Sequence, residues 1–357
     1  VSVRIAITGA SGNVSTALLL RLQQGLRGED VDVVGIARRV PQVDPAQGGP
    51  YAGVQWEPLD IAGPGAVSRM TELFRGVDAV VHTAWLIQPM RDPAELSRVN
   101  LGGTRNVVRA ALQAGVPHLV HLSSLGAYAE HPADDSRVDE SWPATGLPTV
   151  QYSREKATCE AHLDVVEAEH PELVVTRVRP ALVMQGRSGS ELARYFAGVL
   201  TPTRLLGRVP LPVLPLPRGV RFQVVHAEDL ADAIARMLER TPRGAFNVAD
   251  EPVLGGRDLG RVLRAGRLVP VGHRLARLAV QASYHAKVHP VQPGWFDMGM
   301  GVPLLDTSRV REELGWRPAH AAQDVLAELF EGMRDHVGTD SPAMRPRSLD
   351  PTARTGT

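Results

Sequence analysis

The stretch "QYSREK" sets Tyr152 four residues before Lys156, which on a helix places phenol and ammonium on one face. A phenol titrates near ~10 and carries protons poorly at neutral pH, and an adjacent positive charge favours the phenolate and lowers that value. Upstream, "HLVHLSSLGAY" ends an apolar run on Ser123 and Ser124, where a hydroxyl can hold a substrate oxygen. A serine, a tyrosine and a lysine of this kind suit proton transfer at an oxygen whose carbon gains or loses a hydride. Only Lys156 and Lys287 of the 39 basic residues are lysines, so few positions can fill the role. The other near spacing, Tyr284 with Lys287, is three residues and follows no serine strand end; it reads as a surface pair.

Hydride chemistry needs a carrier, and "IAITGASGNVSTALLLRL" (5–22) offers a place for one. An apolar strand runs into a glycine turn and then a helix. Backbone N–H groups at Gly9, Ser11, Gly12, Asn13 and Val14, with the helix dipole behind them, form an anion site suited to a pyrophosphate. Ser15 stands where a third glycine usually lets helix pack on strand, so a slightly wider contact is expected. At the end of the next strand, "VVGIARRV" has Arg38 and Arg39 where an acid would bond the ribose hydroxyl of NAD. Arginine grips a 2′-phosphate with paired donors, so NADP is the expected cofactor and NAD the alternative.

These residues need strands and helices to hold them. Short apolar runs at Val3–Thr8, Val31–Ala37, Val54–Leu59, Asp78–Thr83, His118–Ser123 and Leu173–Arg179 alternate with helical patterns near 13–26, 66–75, 93–114 and 151–169. Such alternation predicts an α/β fold, a Rossmann-type doubly wound parallel sheet with ligands beyond its carboxyl edge, and a smaller C-terminal substrate domain. The expected division is a dinucleotide-binding domain over 1–180, rejoined by about 220–250 through Phe222–Val225 and Glu228–Glu239. A substrate domain takes 181–219 and 251–337, with helices at 256–266, 273–287 and 320–335. The proline-rich "TPTRLLGRVPLPVLPLPRG" (201–219) cannot be a regular helix and reads as an ordered loop or lid. The tail, 338–357, lacks apolar periodicity and is expected to be disordered.

Composition excludes several classes. The 357 residues carry 39 basic and 39 acidic side chains and 4% aromatics, which argues against nucleic-acid partners. One cysteine, Cys159, allows no internal disulfide, and the first residues enter a strand directly with no leader pattern; a cytoplasmic setting is expected. No run reaches the ~18 apolar residues of a membrane span, so no membrane partner is expected. Among twelve histidines, His118 and His121 point to opposite strand faces; His285 and His289 could share a helix face, but Pro290 follows and no carboxylate spacing supports a site there, so no metal is expected.

The chain resembles the extended or atypical short-chain dehydrogenase/reductases of the NAD-dependent epimerase/dehydratase family. The resemblance runs from about residue 3 to 335, on "TGASGNV", "DAVVHTAW", "VNLGGTRNVVRAAL", "LSSLGAY", "YSREK", "RPALV", "VVHAEDLADAI" and "LDTSRVREELGW". It implies Ser124 on the substrate side, Tyr152 as acid/base, and Lys156 both lowering the tyrosine pKa and bonding the nicotinamide ribose. It implies adenine contacts at Asp60 and Ile61, a loop beneath the cofactor at Thr83 and Ala84, and Pro180 to Val183 near the nicotinamide. Leu125 and His226 fall where the family approaches substrate. A homodimer through the helices near 93–114 and 151–169 is expected by the same analogy.

Departures from the family pattern narrow the chemistry. Dehydratases carry an Asp-Glu pair where this chain has Leu125 and Gly126. Nucleotide-sugar enzymes place an asparagine after the "RP" pair, where Ala181 and Leu182 stand, and an arginine where Phe222 stands, Arg221 being one place off. A smaller or more apolar carbonyl substrate is therefore expected, handled by an oxidoreductase acting on a secondary alcohol or ketone. An epimerase with retained NAD is the alternative, and a non-catalytic NADP-sensing protein a lesser one.

Overall fold

The computed structural model describes residues 2–42, 48–87, 92–197, 203–286 and 291–346. The first half alternates as the sequence predicts: β1 (Val3–Thr8), α1 (Asn13–Leu22), β2 (Val31–Ala37), β3 (Gln55–Pro58), α2 (Ala66–Phe74) and β4 (Ala79–His82). There follow α3 (Pro93–Ser97), a π-helical turn (Arg98–Gly102), α4 (Gly103–Ala114), β5 (His118–Leu122), β6 (Arg137–Val138), α5 (Gln151–Glu169) and β7 (Val174–Pro180). The second half holds β8 (Leu182–Met184), α6 (Gly189–Leu192), β9 (Leu211–Pro217), β10 (Arg221–Phe222), β11 (Val224–His226), α7 (Ala227–Arg240) and β12 (Gly244–Val248). It ends with β13 (Leu254–Gly255), α8 (Gly256–Val262), β14 (Ala265–Val271), α9 (His273–His285), α10 (Pro293–Gly301), β15 (Leu304–Leu305), α11 (Ser308–Leu314) and α12 (Ala322–Arg334).

Seven parallel strands form one sheet in the order β12-β7-β5-β4-β1-β2-β3. This is a Rossmann-type doubly wound sheet. Its strands are apolar on both faces because helices cover both. Ile5, Ile7, Val81, Val120 and Val178 point into a core shared with α1 and α7, while Ala6, Val34, Val80, Leu119 and Val175 point into a second with α2, α4 and α5. The order steps outward from β1 to β2 on one side and β4 on the other. That switch point opens the crevice above the carboxyl ends, where the glycine turn lies.

Three expectations need correction. Phe222–Val225 does not rejoin the main sheet: Val224–His226 pairs with β8 in a separate parallel ribbon, and Gly244–Val248 is the strand that returns, beside β7. The proline-rich segment contains a strand, β9, paired in parallel with β14; proline lacks a donor, so a two-stranded ribbon with an open edge accommodates it where a central position would not. Finally, residues 338–346 are ordered. Ser341 and Met344 are fully buried, and the tail lies against the glycine turn: Ser341 Oγ donates to the Ser11 carbonyl, and Thr339 Oγ1 is 2.7 Å from the Tyr51 hydroxyl. A segment without periodicity still orders where one side chain, here Met344, fills a hole beside Thr16. Residues 347–357 lie outside the described residues, as do Lys287 and His289.

Candidate active site

The glycine turn is built by close approach. Gly9 has φ +77°, and a Cβ there would fall 2.6 Å from the backbone of Ala84, so only glycine fits on both counts. Gly12 is the N-cap of α1, and no side chain caps that helix, leaving its first amides directed at an anion. Ser15 does more than fill a small space. Its Oγ lies 2.7 Å from Thr83 Oγ1, which donates to the Thr8 carbonyl at 2.8 Å. The departure from glycine thus ties α1 to the ends of β1 and β4 rather than loosening that contact.

A cavity of about 530 Å³ opens from this turn. Gly9, Ser11, Gly12, Arg38, Asp60, Ile61, Thr83 and Ala84, all singled out in the sequence, line it together. Burial opposes ionisation of Asp60, yet the Ala62 amide and the Arg98 guanidinium (3.0 Å) hold its carboxyl below the usual range. The far wall was not foreseen. Glu191, Arg194 and Tyr195 form part of it, and Pro342, Ala343 and Arg345 of the tail complete it. Arg194 donates to the carbonyls of Ala343 and Arg345, fastening the tail across the crevice. Burial pushes the Glu191 carboxyl up to about 7. The cradle fits a dinucleotide by its uncapped helix start, its glycine wall and its arginines.

Ser124, Tyr152 and Lys156 come together as α5 packs against the end of β5. Ser124 Oγ accepts from the Gly126 amide at 3.0 Å, capping a short 3₁₀ turn, and both it and the Tyr152 ring lie against Gly126. Gly126 leaves room for the phenol, because a Cβ there would lie 2.9 Å from Tyr152 Cε1 and displace the ring. Burial pushes the Tyr152 phenol up to about 12, with the nearby Ser124 hydroxyl opposing. Burial likewise brings the Lys156 ammonium down to about 7, against the pull of Cys159, Glu160 and Glu155. The expected lowering of the phenol by the lysine is not what these side chains show. Lys156 Nζ lies 5.9 Å from the Tyr152 ring centroid, donates to the Leu122 carbonyl at 2.8 Å and sits 3.5 Å from the Trp85 ring centroid. Trp85 meets Tyr152 edge-on at 5.9 Å. Its position, directly after Thr83 and Ala84, was the signal that could have marked it.

Behind this group lies a buried network whose Glu160–Arg179 pair sequence spacing did not reveal. Glu160 accepts from Ser123 Oγ at 2.5 Å and from Arg179 at 2.8 and 2.7 Å; Arg179 also donates to the Tyr128 hydroxyl at 2.9 Å. Although burial opposes it, Arg179 keeps the Glu160 carboxyl below its usual range. Asn100, in the π-helical turn, bonds both backbone groups of Leu86 and reaches Glu155 at 2.8 Å, bracing the loop after β4 onto α5. A second cavity of about 390 Å³ adjoins Tyr152, walled by Leu86, Gln151, Tyr284, Gln292 and Trp295 among others.

Other sequence candidates lie elsewhere. Asn13, at the start of α1, accepts from Gln185, and Val14 packs against the core beneath the turn. Pro180 ends β7, Val183 packs into the first core and Leu125 into a third; none lines either cavity. His226 caps α7, faces Glu328 at 3.1 Å and stacks on His320 at 3.9 Å, well inside another interface. Arg221 is engaged by Asp135.

A family model described as the NAD dependent epimerase/dehydratase family matches residues 5–249. The chain belongs to that family. An uncharacterized protein of Mycobacterium tuberculosis is 26% identical over 263 residues, 72% of this chain and 66% of that one, so the match spans just under two thirds of that relative. The UDP-glucose 4-epimerase of Mycolicibacterium smegmatis is 26% identical over 340 residues, covering 93% of this chain and 99% of that one. Among solved structures, the UDP-glucose 4-epimerase of Thermus thermophilus in complex with NAD shares the fold, with TM-score 0.67, 22% identity, and coverage of 93% and 99%.

Proposed function

We propose that this chain is a nicotinamide-dependent oxidoreductase that interconverts a secondary alcohol and a ketone, with NADP preferred over NAD. The observation that carries this reading is the meeting of Ser124, Tyr152 and Lys156 between a glycine-walled crevice and a second cavity. Bound in the crevice, the dinucleotide would supply or accept the hydride. Tyr152 gives its proton to the substrate oxygen in reduction and takes it back in oxidation, and Ser124 holds that oxygen. Lys156 supplies positive charge beside the phenol. Arg38 and Arg39 line the crevice and suit a 2′-phosphate. Gly126 supports a reaction other than dehydration, because the Tyr152 ring fills the space an acidic side chain there would need.

Titration with NADPH and NADH, followed by a ketone screen read as absorbance loss, tests the reading. Tyr152→Phe should lower turnover by about 10² or more with cofactor binding kept; unchanged turnover rejects it. The tail fastened across the crevice favours a second reading, an epimerase that retains its cofactor. In that case dinucleotide co-purifies with the protein and no net consumption is seen. We also propose a homodimer through α4 and α5, where Val165 is exposed.

A further inference from the structure

Two runs of this charge-balanced chain contain no acidic residue: 192–227, with five arginines, and 259–296, with five arginines and Lys287. The fold brings them together. β9 pairs in parallel with β14, and α9 follows β14 through Gly272 to pack beside β9. Leu268 packs on Gly260 of α8, and its register partner Leu214 shares that face; Leu211, Val213 and Arg267 therefore point out of the opposite face. Among the described residues, ten large hydrophobic side chains are exposed, and six are here: Leu205, Val209, Leu211, Val213, Leu275 and Leu278. Leu275 and Leu278 are 64% and 60% exposed and share one face of α9. Arg218, Arg267 and Arg274 are exposed with no ion pair among the described residues.

We propose that this lobe docks on an anionic lipid bilayer. Apolar exposure concentrated in one place marks an interaction surface, and its charge decides the partner. A nucleic acid would match the arginines but leave the leucines in water. A second copy would cover the leucines but set like charges face to face. An anionic bilayer surface satisfies both: leucines enter the headgroup boundary while arginines stay with the lipid phosphates. Docking of this kind needs no membrane-spanning helix, and among the described residues no helix is long and apolar enough to cross one. The last turn of α9 carries Tyr284 and His285 into the wall of the cavity beside Tyr152, so docking would bring that cavity to the lipid surface. Binding to the surface stands apart from the proposed chemistry and can be measured without turnover.

The test is co-sedimentation of the purified chain with phosphatidylcholine vesicles, with and without about 30% phosphatidylserine, at about 0.1 M salt. Binding should require phosphatidylserine. It should fall about tenfold or more in Leu275→Ser/Leu278→Ser, and likewise in Arg267→Glu/Arg274→Glu. Arg75→Glu, exposed at the end of α2 and outside the lobe, should bind as the parent does. Circular dichroism confirms that each surface variant is folded. The proposal is overturned by absence of binding to phosphatidylserine vesicles or by equal binding of all variants. Dimerisation lost in Leu275→Ser/Leu278→Ser overturns it in favour of a second copy. Tighter binding to a DNA duplex, lost in Arg267→Glu/Arg274→Glu, overturns it in favour of nucleic acid.

Discussion

The Lys156 ammonium lies 3.5 Å from the centroid of the Trp85 ring. A cation over an indole face gains roughly 0.5–2 kcal/mol, and that gain holds only while the lysine is charged. Burial sets the Lys156 pKa at about 7, so ketone reduction that depends on this charge should decline as pH rises through about 7. Trp85→Leu removes support for the charged form and should move the decline down by about half a unit to one unit. A pH–rate profile of the variant measures this; an unmoved or raised midpoint contradicts it.

Gly9 and Gly12 should respond differently to alanine. At Gly9 the new Cβ meets backbone at 2.6 Å with φ at +77°, whereas at Gly12 it meets only the Gly9 carbonyl at 3.3 Å. Gly9→Ala should lose at least about 2 kcal/mol of stability. Gly12→Ala should melt within a few degrees of the parent and lose cofactor affinity instead. Thermal melts and dinucleotide titration of the pair separate the two effects.

The Glu160–Arg179 pair is nearly dry and bonds Ser123 and Tyr128 besides. Glu160→Gln leaves Arg179 charged without its counterion, and removing one partner of a buried pair costs about 3–5 kcal/mol. Denaturant unfolding should show that loss. Replacing both residues with apolar side chains of similar size should recover part of it.

Acid should unfold this protein through its sheet histidines. Burial brings His82 down to about 3 and His118 to about 4, and His121 is pushed well below its usual value by burial, with His82, Lys156 and Arg177 adding to the effect. Unfolded, each takes a proton near ~6.5; folded, each refuses it until far lower pH. Unfolding therefore takes up protons in that window, and stability falls as pH drops below about 6.5. Among the described residues neither His121 nitrogen has a partner, so His121→Leu should raise stability at pH 5 by about 1–3 kcal/mol and flatten the decline, as urea midpoints across pH would show.

Much of this architecture is legible in the chain itself. Apolar runs with glycine turns mark β1, β2, β4, β5 and β7 because both sheet faces are buried. Eight cofactor-site residues fall on one cavity because they occupy consecutive strand ends. What was not legible depends on tertiary contact. Glu155 and Glu160 carry no mark in the sequence of the Asn100 and Arg179 side chains that the fold brings against them. Trp85 shows its role only once its ring is seen beneath Lys156. β9 was hidden by prolines that an open-edged ribbon tolerates, and Ser341 and Met344 lack the periodic neighbours that signal burial.

The bond between Ser341 and the Ser11 carbonyl joins residues 330 positions apart and has a consequence for biosynthesis. A nascent chain displays the glycine turn early, but one bank of the crevice is missing until Arg345 has left the ribosome. Enclosure of the crevice is thereby deferred until after all seven strands of the main sheet have been made.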